Sequence, residues 1–469
     1  MDVRSIRTRR FLAVPAALAA CVTIVGSGAA GGAHVAPGAI RFGPPRPAAK
    51  PAWTETILHS FTGAPTDGYL PETGLVEDGK GDLYGSALNG GALCSGGSST
   101  SGCGVVFKMT RSPKGFKESV LYKFKGGTGD GELPDGPVLD ASGGLYGTSQ
   151  YGGTGTCTAS VGSCGTVWKL TPVGKKYVES ILYNFQGGSD GGTPLAPLRL
   201  DSSGALYGTT IFGGGGPCTQ PSEPNGCGTV FKLTPTGSGG YTESILHAFG
   251  GGKGDGANPY LGQLWIDSKG ALYGTTRSGG GAANDGIAYK LTPSGGGYKF
   301  SVIYHFKGGN DGANPYAGLI ADANGVLYGT TRYGGAGSCS KSSINGCGTV
   351  FALTPAGKAY KETVLYSFQQ TASDGRYPIA GLTLGAGGVL YGSANNGGIG
   401  AGTVFSLTPA QSGYTETSLY VFQGPPDGYL PRSGVILDVS GALYGTTFLG
   451  GSAPGCGSTG CGAVFELSP

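Results

Sequence analysis

The sequence predicts an all-β protein: a seven-bladed β-propeller of four-stranded antiparallel blades, closed by an N-terminal strand that completes the last blade. Three observations carry this expectation. A four-part block recurs seven times between Trp53 and Pro469, each block holds four short segments of strand composition, and the first and last copies are incomplete in complementary ways.

The segment typified by YTESILYSF runs Trp53 to Phe61, Phe116 to Phe124, Tyr177 to Phe185, Tyr241 to Phe249, Tyr298 to Phe306, Tyr360 to Phe368 and Tyr414 to Phe422. Its alternation and β-rich composition predict a strand. An Asp-Gly-x-x-Pro loop follows, led by Asp67, Asp130, Asp190, Asp255, Asp311, Asp374 and Asp427. Next come a short apolar strand, an Asp-x-x-Gly turn and a Leu-Tyr-Gly strand with Tyr84, Tyr146, Tyr207, Tyr273, Tyr328, Tyr391 and Tyr444. The turn aspartates, Asp78, Asp140, Asp201, Asp267, Asp322 and Asp438, each precede a glycine by three positions, as a hairpin closed by a positive-φ residue requires. Gly385 replaces the aspartate once. The last element is Gly-Thr-Val-Phe-x-Leu-Thr-Pro or a variant, from Gly104, Gly165, Gly228, Gly286, Gly348, Gly402 and Gly462. The repeats stop after this fourth element, so the last blade lacks a strand unless residues 53 to 61 supply it. Closing the ring removes the edges that an open solenoid would expose.

Glycine (97 residues) and proline (29) follow no Gly-X-Y period, so they mark turns between short strands. Arg4, Arg7, Arg9 and Arg10 precede the apolar FLAVPAALAAC, so residues 1–30 read as an export signal, 31–52 as a Gly/Ala/Pro-rich linker and 53–469 as the propeller. Arg9-Arg10 is an imperfect twin-arginine signal. Leu18-Ala19-Ala20-Cys21 matches a lipoprotein cleavage box, which would leave Cys21 lipidated and membrane-tethered. The other reading is an ordinary signal cleaved within the run up to Ala36, favoured by apolar Val22 to Val25. Removing the signal takes the formal charge from +3 to about zero, which argues against nucleic acid as a partner. No second long apolar run predicts a transmembrane span. The expected location is secreted, periplasmic or outer envelope of a bacterium.

Ten cysteines remain, in five local pairs: Cys94/Cys103, Cys157/Cys164, Cys218/Cys227, Cys339/Cys347 and Cys456/Cys461. All fall between the Leu-Tyr-Gly and Val-Phe strands, and two repeats lack both members. Residues that come and go together in an exported chain predict disulfides, whose expected work is to hold loops; two thiolates without further ligands are too few for structural zinc.

If the chain enters each blade on its inner strand, the Asp-Gly-x-x-Pro crossovers and the cysteine loops share one face. The seven crossover aspartates are expected to ring the channel mouth there, joined by Tyr69, Tyr260, Tyr316, Tyr377 and Tyr429 and by Asn258 and Asn314. Carboxylates, amides and flat rings suit a sugar chain; oxygen ligands suit a structural divalent cation such as calcium. A scaffold role is the competing reading, because Asp before Gly accepts backbone N–H bonds in turns. The Leu-Tyr-Gly tyrosines are expected to pack between blades. His59, His247 and His305 read as equivalent places in the first strand, half-buried. Neither a P-loop nor an HExxH pair occurs, and no catalytic constellation stands out.

The text DGANPxxGLxxDxxGxLYGTTxxGG, followed by GTVFKLTPxG and YxExxLYxF, resembles the GloVer (Gloeobacter/Verrucomicrobium-type) tandem repeat of exported bacterial proteins, over about Trp53 to Pro469. The resemblance implies a propeller-like fold and an extracellular or envelope location, and brings no catalytic residues with it. The chain departs from it in the cysteine-bearing insertions, and any anchor is expected through Cys21. The functional expectation is a non-catalytic recognition scaffold that binds an extracellular glycan or surface protein. The alternatives are a polysaccharide hydrolase or lyase using carboxylates and tyrosines at the mouth, and a purely structural envelope protein.

Overall fold

The computed structural model describes residues 53–469 except 95–100, 158–161, 219–225, 238, 282, 342–343 and 358. The signal, the linker and Cys21 lie outside the described residues. Seven four-stranded antiparallel sheets form the predicted propeller. In blade 1 the strands, called a to d from the axis outward, are Val76–Glu77, Leu83–Ala87, Val105–Ser112 and Gly115–Lys123. Blade 7 takes strands a to c from Ile436–Leu437, Leu443–Thr447 and Ala463–Ser468, and its strand d is Thr54–Ser60. Thr54 pairs with Ser468 and Ser60 with Ala463, so the ring is closed as expected.

The Leu-Tyr-Gly glycine has a specific packing task. A Cβ on Gly85 would lie 2.6 Å from Phe107 Cζ, and on Gly147 2.2 Å from Trp168 Cζ2; the bare backbone admits the aromatic ring of strand c. That ring meets the phenylalanine that ends strand d of the preceding blade. Phe61 and Phe107 stand edge to face at 5.0 Å, Phe185 and Phe231 at 5.1 Å, and Phe422 and Phe465 at 5.2 Å. Each such pair adds about 0.5–1.5 kcal/mol beyond its area burial. The tyrosines of the same motif are buried between blades, except for half-buried Tyr391. Tyr84 donates its hydroxyl to Asp78 of the hairpin turn at 3.1 Å.

Hydroxyls stitch neighbouring blades together. Thr275 Oγ1 donates to the Ala317 carbonyl (2.7 Å), Ser393 Oγ to Ser433 (2.8 Å) and, across the seal, Thr446 Oγ1 to Thr73 (3.3 Å).

Two features depart from the sequence reading. Strand d carries a bulge against strand c in every blade: in blade 1, Val106 faces Tyr122 but Phe107 faces Val120, leaving Leu121 unmatched. The crossovers, read as loops, pair as short antiparallel ribbons with the extension of strand b, as in Gly68–Tyr69 with Asn89–Gly90 and Gly375–Arg376 with Asn396–Gly397.

Candidate functional site

The crossover aspartates do not ring the channel mouth. Each lies over the seam between two blades, beside the outermost strands. In all seven, the carboxylate accepts the backbone N–H of the residue after the strand-d phenylalanine, from Thr62 on Asp67 (2.8 Å) to Gln423 on Asp427 (2.8 Å). The side chain just past the bulge supplies a further partner: Tyr122 to Asp130 (2.9 Å), Tyr183 to Asp190 (2.6 Å), Tyr304 to Asp311 (2.5 Å), Tyr366 to Asp374 (2.9 Å) and Tyr420 to Asp427 (3.0 Å). His59 takes this place on Asp67 (3.0 Å) and His247 on Asp255 (3.1 Å). His305 is not their equivalent. It stands one residue further on, where its Nδ1 faces the Gly280 carbonyl at 2.6 Å, and Tyr304 holds the aspartate.

A second carboxyl faces most of these seams from strand d of the following blade. Glu118 stands against Asp67, and the ligand atoms of His59, Asp67 and Glu118 all lie within 4.8 Å of one another. Burial first, then the Asp67 charge, pushes the Glu118 carboxyl up to about 7. Glu55, Glu179, Glu243, Glu362 and Glu416 repeat the arrangement against Asp427, Asp130, Asp190, Asp311 and Asp374. The seventh seam has Phe300, stacked on His247 at 3.7 Å. The His59 cluster offers one imidazole and two carboxylates to a cation. Cys94, Cys103 and Glu132 also lie close together, but those cysteines share a disulfide.

The predicted tyrosines and asparagines occupy three registers. Tyr69 and Tyr429 follow the Asp-Gly pair directly and pack into the blade cores. Tyr377, Asn258 and Asn314 precede the proline, a position at φ +53° to +60° in all seven crossovers. Asparagine tolerates that left-handed backbone. Asn314 Nδ2 also donates to the Arg277 carbonyl (2.8 Å) and Asn258 Nδ2 to Ile211 (3.2 Å).

All five predicted cysteine pairs are bonded: Cys94–Cys103, Cys157–Cys164, Cys218–Cys227, Cys339–Cys347 and Cys456–Cys461. Besides closing these loops, the second member of each pair belongs to the core. Cys103, Cys164, Cys227 and Cys347 are fully buried and Cys461 nearly so. They pack in the same apolar clusters as Phe124, Phe185, Phe249, Phe368 and Phe61, the phenylalanines that end strand d of their own blades. The physical reason is position: each of these cysteines stands two residues before strand c, where the chain has already turned inward, and a bonded sulfur is apolar enough to be covered there. None of the five is therefore open to a ligand. Their backbones reach the next crossover instead, each carbonyl accepting the N–H of the left-handed residue: Leu133 on Cys103 (3.0 Å), Thr193 on Cys164 (2.9 Å), Asn258 on Cys227 (2.7 Å), Tyr377 on Cys347 (2.7 Å) and Leu70 on Cys461 (3.0 Å). Asp285 and Ala401 do this in the two cysteine-free blades.

Only Tyr260 and Tyr316 follow the proline, and this register faces the axis. Around the ring it reads Glu72, Asp135, Leu195, Tyr260, Tyr316, Ile379 and Arg432. Glu72, Leu195, Ile379 and Arg432 border the axial cavity, of about 210 Å³. Glycines narrow that cavity: a Cβ on Gly262 would lie 2.7 Å from the Gly318 nitrogen. Outside this ring stands the sixth residue counted from the leucine of Leu-Tyr-Gly, just past strand b in every blade but the second: Leu88, Gln150, Ile211, Arg277, Arg332, Asn395 or Phe448.

The two rings make distinct sectors. Arg432 donates to Glu72 (2.8 Å) and lies 3.5 Å over the Phe448 ring. Asp135 is fully buried, receives Gln150 Nε2 (3.2 Å), and is held well above the usual carboxylate range by burial and by nearby Glu72. On blades 4 and 5, Tyr260 and Tyr316 meet edge to face at 4.8 Å. Arg277 lies over both, and Arg332 lies over Tyr316 and Tyr333 while donating to the Tyr316 hydroxyl (2.8 Å). Burial, then Glu72 across the mouth, pushes the Tyr260 hydroxyl up to about 12. Sequence reasoning passed over Glu72, Asp135, Arg277, Arg332 and Arg432. The available signal was disagreement among repeats in the columns just after the proline and just after strand b.

The chain belongs to the Gloeobacter/Verrucomicrobia repeat family, whose model matches residues 50–217 and 216–465. No curated protein matches it. Among solved structures it is similar to a fungal alcohol oxidase of the AA5 family in complex with copper, at 15% identity and TM-score 0.51, covering 89% of this chain and 76% of that one. A protein from Lactobacillus plantarum is 13% identical with TM-score 0.46, covering 78% of this chain and 96% of that one. A gluconolactonase from Xanthomonas campestris is 12% identical with TM-score 0.37, covering 77% of this chain and 89% of that one. At these identities the likeness is one of fold.

Proposed function

We propose that this member of the repeat family is an exported, non-catalytic recognition scaffold that holds an extracellular glycan on its crossover face, at the channel mouth. One observation carries the reading. Positions that repeat, such as the crossover aspartates and the Leu-Tyr-Gly glycines, do structural work, whereas the seven residues after the prolines run from acid through aliphatic and aromatic to arginine. Seven interchangeable blades need no such variety for folding. Clefts that mix ring faces with a few polar groups suit ligand recognition, and loops on a rigid scaffold are where such groups are mounted. The five disulfides suit an oxidising compartment.

Binding is favoured over cleavage by the state of the two carboxyls at the mouth. Glu72 is ion-paired to Arg432, and Asp135 is sealed from solvent. Neither is free to meet a glycosidic bond as acid or nucleophile. The test is retention of the full chain by immobilised polysaccharides together with a reducing-end assay on the same panel. Expected are retention weakened by Tyr260→Ala and no new reducing ends. Failure to retain any polysaccharide overturns the reading. Chain cleavage lost on Glu72→Gln or Asp135→Asn replaces it with an enzyme.

A further inference from the structure

A groove of about 610 Å³ crosses the same face over blades 2 to 4, lined by Tyr151, Leu195, Ile211, Phe212, Tyr260 and Arg277 among others. Resting on the glycan reading above, we propose that this groove takes an acidic polysaccharide and that Arg277 receives the anionic group of one of its sugars.

The charge arrangement points this way. Arg277 and Arg332 both lie over one ring, their guanidinium carbons 5.4 and 4.8 Å from the Tyr316 centroid. Among the described residues neither has a carboxylate within ion-pair distance, whereas Arg432 and Arg111 are paired with Glu72 and Asp438. Arg332 Nε is buried without a hydrogen-bond partner. Two permanent cations gathered on one ring repel each other, and an anion beside them relieves that cost. The carboxyls nearest across the mouth do not supply it: Glu72 is neutralised by Arg432, and Asp135 is buried. Arg277 is exposed at the groove's end and oriented by Tyr260 and Tyr316, so its planar fork is pre-set for a carboxylate or sulfate.

The rest of the groove favours saccharide over peptide. Its walls offer aromatic faces and aliphatic edges of the kind that pyranose C–H faces cover. Its crossover backbone is already occupied: Ile211 N–H donates to Thr193, Arg277 N–H to Asn258, and Ala257 pairs with Ser278. A peptide adding itself as a strand finds no open edge there.

The experiment measures binding of the full chain to four probes: an oligogalacturonide, its methyl ester, an oligomeric dextran sulfate and plain dextran. At least one acidic probe is expected to bind about tenfold or more tightly than its neutral partner, with the gap narrowing in high salt. Arg277→Ala closes the gap, Arg277→Lys keeps part of it, and Lys80→Ala, in a hairpin turn on the opposite face, leaves it intact. Arg277→Gln reads the same if the alanine variant melts early. Preference for the uronate or for the sulfate identifies which anionic group is recognised. Equal binding of acidic and neutral probes, or a gap that survives loss of Arg277, overturns the acidic inference but leaves glycan recognition standing. Failure of every saccharide removes both readings, and poly-glutamate bound as tightly through Arg277 overturns the saccharide class.

Discussion

Glu243 stands in strand d of blade 3 beside Asp190, whose oxygens are already engaged by the Gln186 N–H and the Tyr183 hydroxyl. Its Oε1 is buried with no hydrogen-bond partner among the described residues. Burial, then the charge on Asp190, pushes its carboxyl from 4.5 up to about 7. The folded protein thus holds this proton more tightly than the unfolded chain. The resulting stability is fully present below about pH 4.5 and is lost as pH rises through about 7. A rise of that size corresponds to roughly 3 kcal/mol at full strength. Because Glu243 is only partly buried, solvent screening reduces this to on the order of 1 kcal/mol. Six seams share the arrangement, offset in part by Lys123 and His59 near Glu118, Lys125 near Glu179 and Lys307 near Glu362. Denaturant unfolding at pH 5 and pH 8 checks the sum: the wild type is expected to lose several kcal/mol between them. Glu243→Gln, which keeps the shape and removes the charge, is expected to gain about 1 kcal/mol at pH 8 and nothing at pH 5. Equal wild-type stability at both pH values, or a loss for Glu243→Gln at pH 8, refutes the reasoning. So does calcium raising stability at pH 8 more in the wild type than in Glu243→Gln, since a cation and not a proton would then be joining the carboxyls at this seam.

Gly85→Ala places a methyl against Phe107 and is expected to cost about 1–3 kcal/mol in denaturant unfolding, partly recovered by Phe107→Leu. Leu430→Asn puts an amide at a φ of +57°, where Asn258 and Asn314 already serve, and is expected to raise thermal stability by about 1 kcal/mol. Replacing Cys339 and Cys347 together by serine opens a loop with a sequence separation of 8 and is expected to cost about 2–3 kcal/mol, read as a shift in the unfolding midpoint. Deleting residues up to Phe61 strips strand d from blade 7 and leaves Phe107 without its partner. The single cooperative melt is expected to broaden or vanish.

The fold was legible because its determinants are local and repeated. Strand alternation, turn aspartates and the orphan strand at Trp53 each act within a few residues, and seven copies average out the noise. The site was less legible. Asp67 and its equivalents look like ligands when read as a list, because nothing in the sequence says that a bulge at Leu58 or Leu121 delivers His59 or Tyr122 to the same carboxylate. Tyr69, Tyr260 and Tyr377 look alike until the proline is used as a ruler, which sends them to three different environments. The cysteine spacing revealed the pairing but not the burial of Cys164, Cys227 or Cys461, since the phenylalanines that cover them come from a different strand. The left-handed backbone at Leu70, Leu133 and Leu430 left no mark in residue type, since hydrogen bonds from the neighbouring blade impose it. Pairings such as Arg277 with Tyr316 join consecutive blades, and column-by-column reading of a repeat does not reach across that boundary.

The pairing of Thr54–Ser60 with Ala463–Ser468 sets an order on assembly. The five sulfur bridges span only 5 to 9 positions each, so each becomes available soon after its own segment is made. The seal requires the earliest and latest parts of the repeat region together, so the circle is shut last. Until then the nascent array carries an unpaired border at both limits, and the hydroxyl and arginine contacts across the final boundary act only once the last repeat has been made.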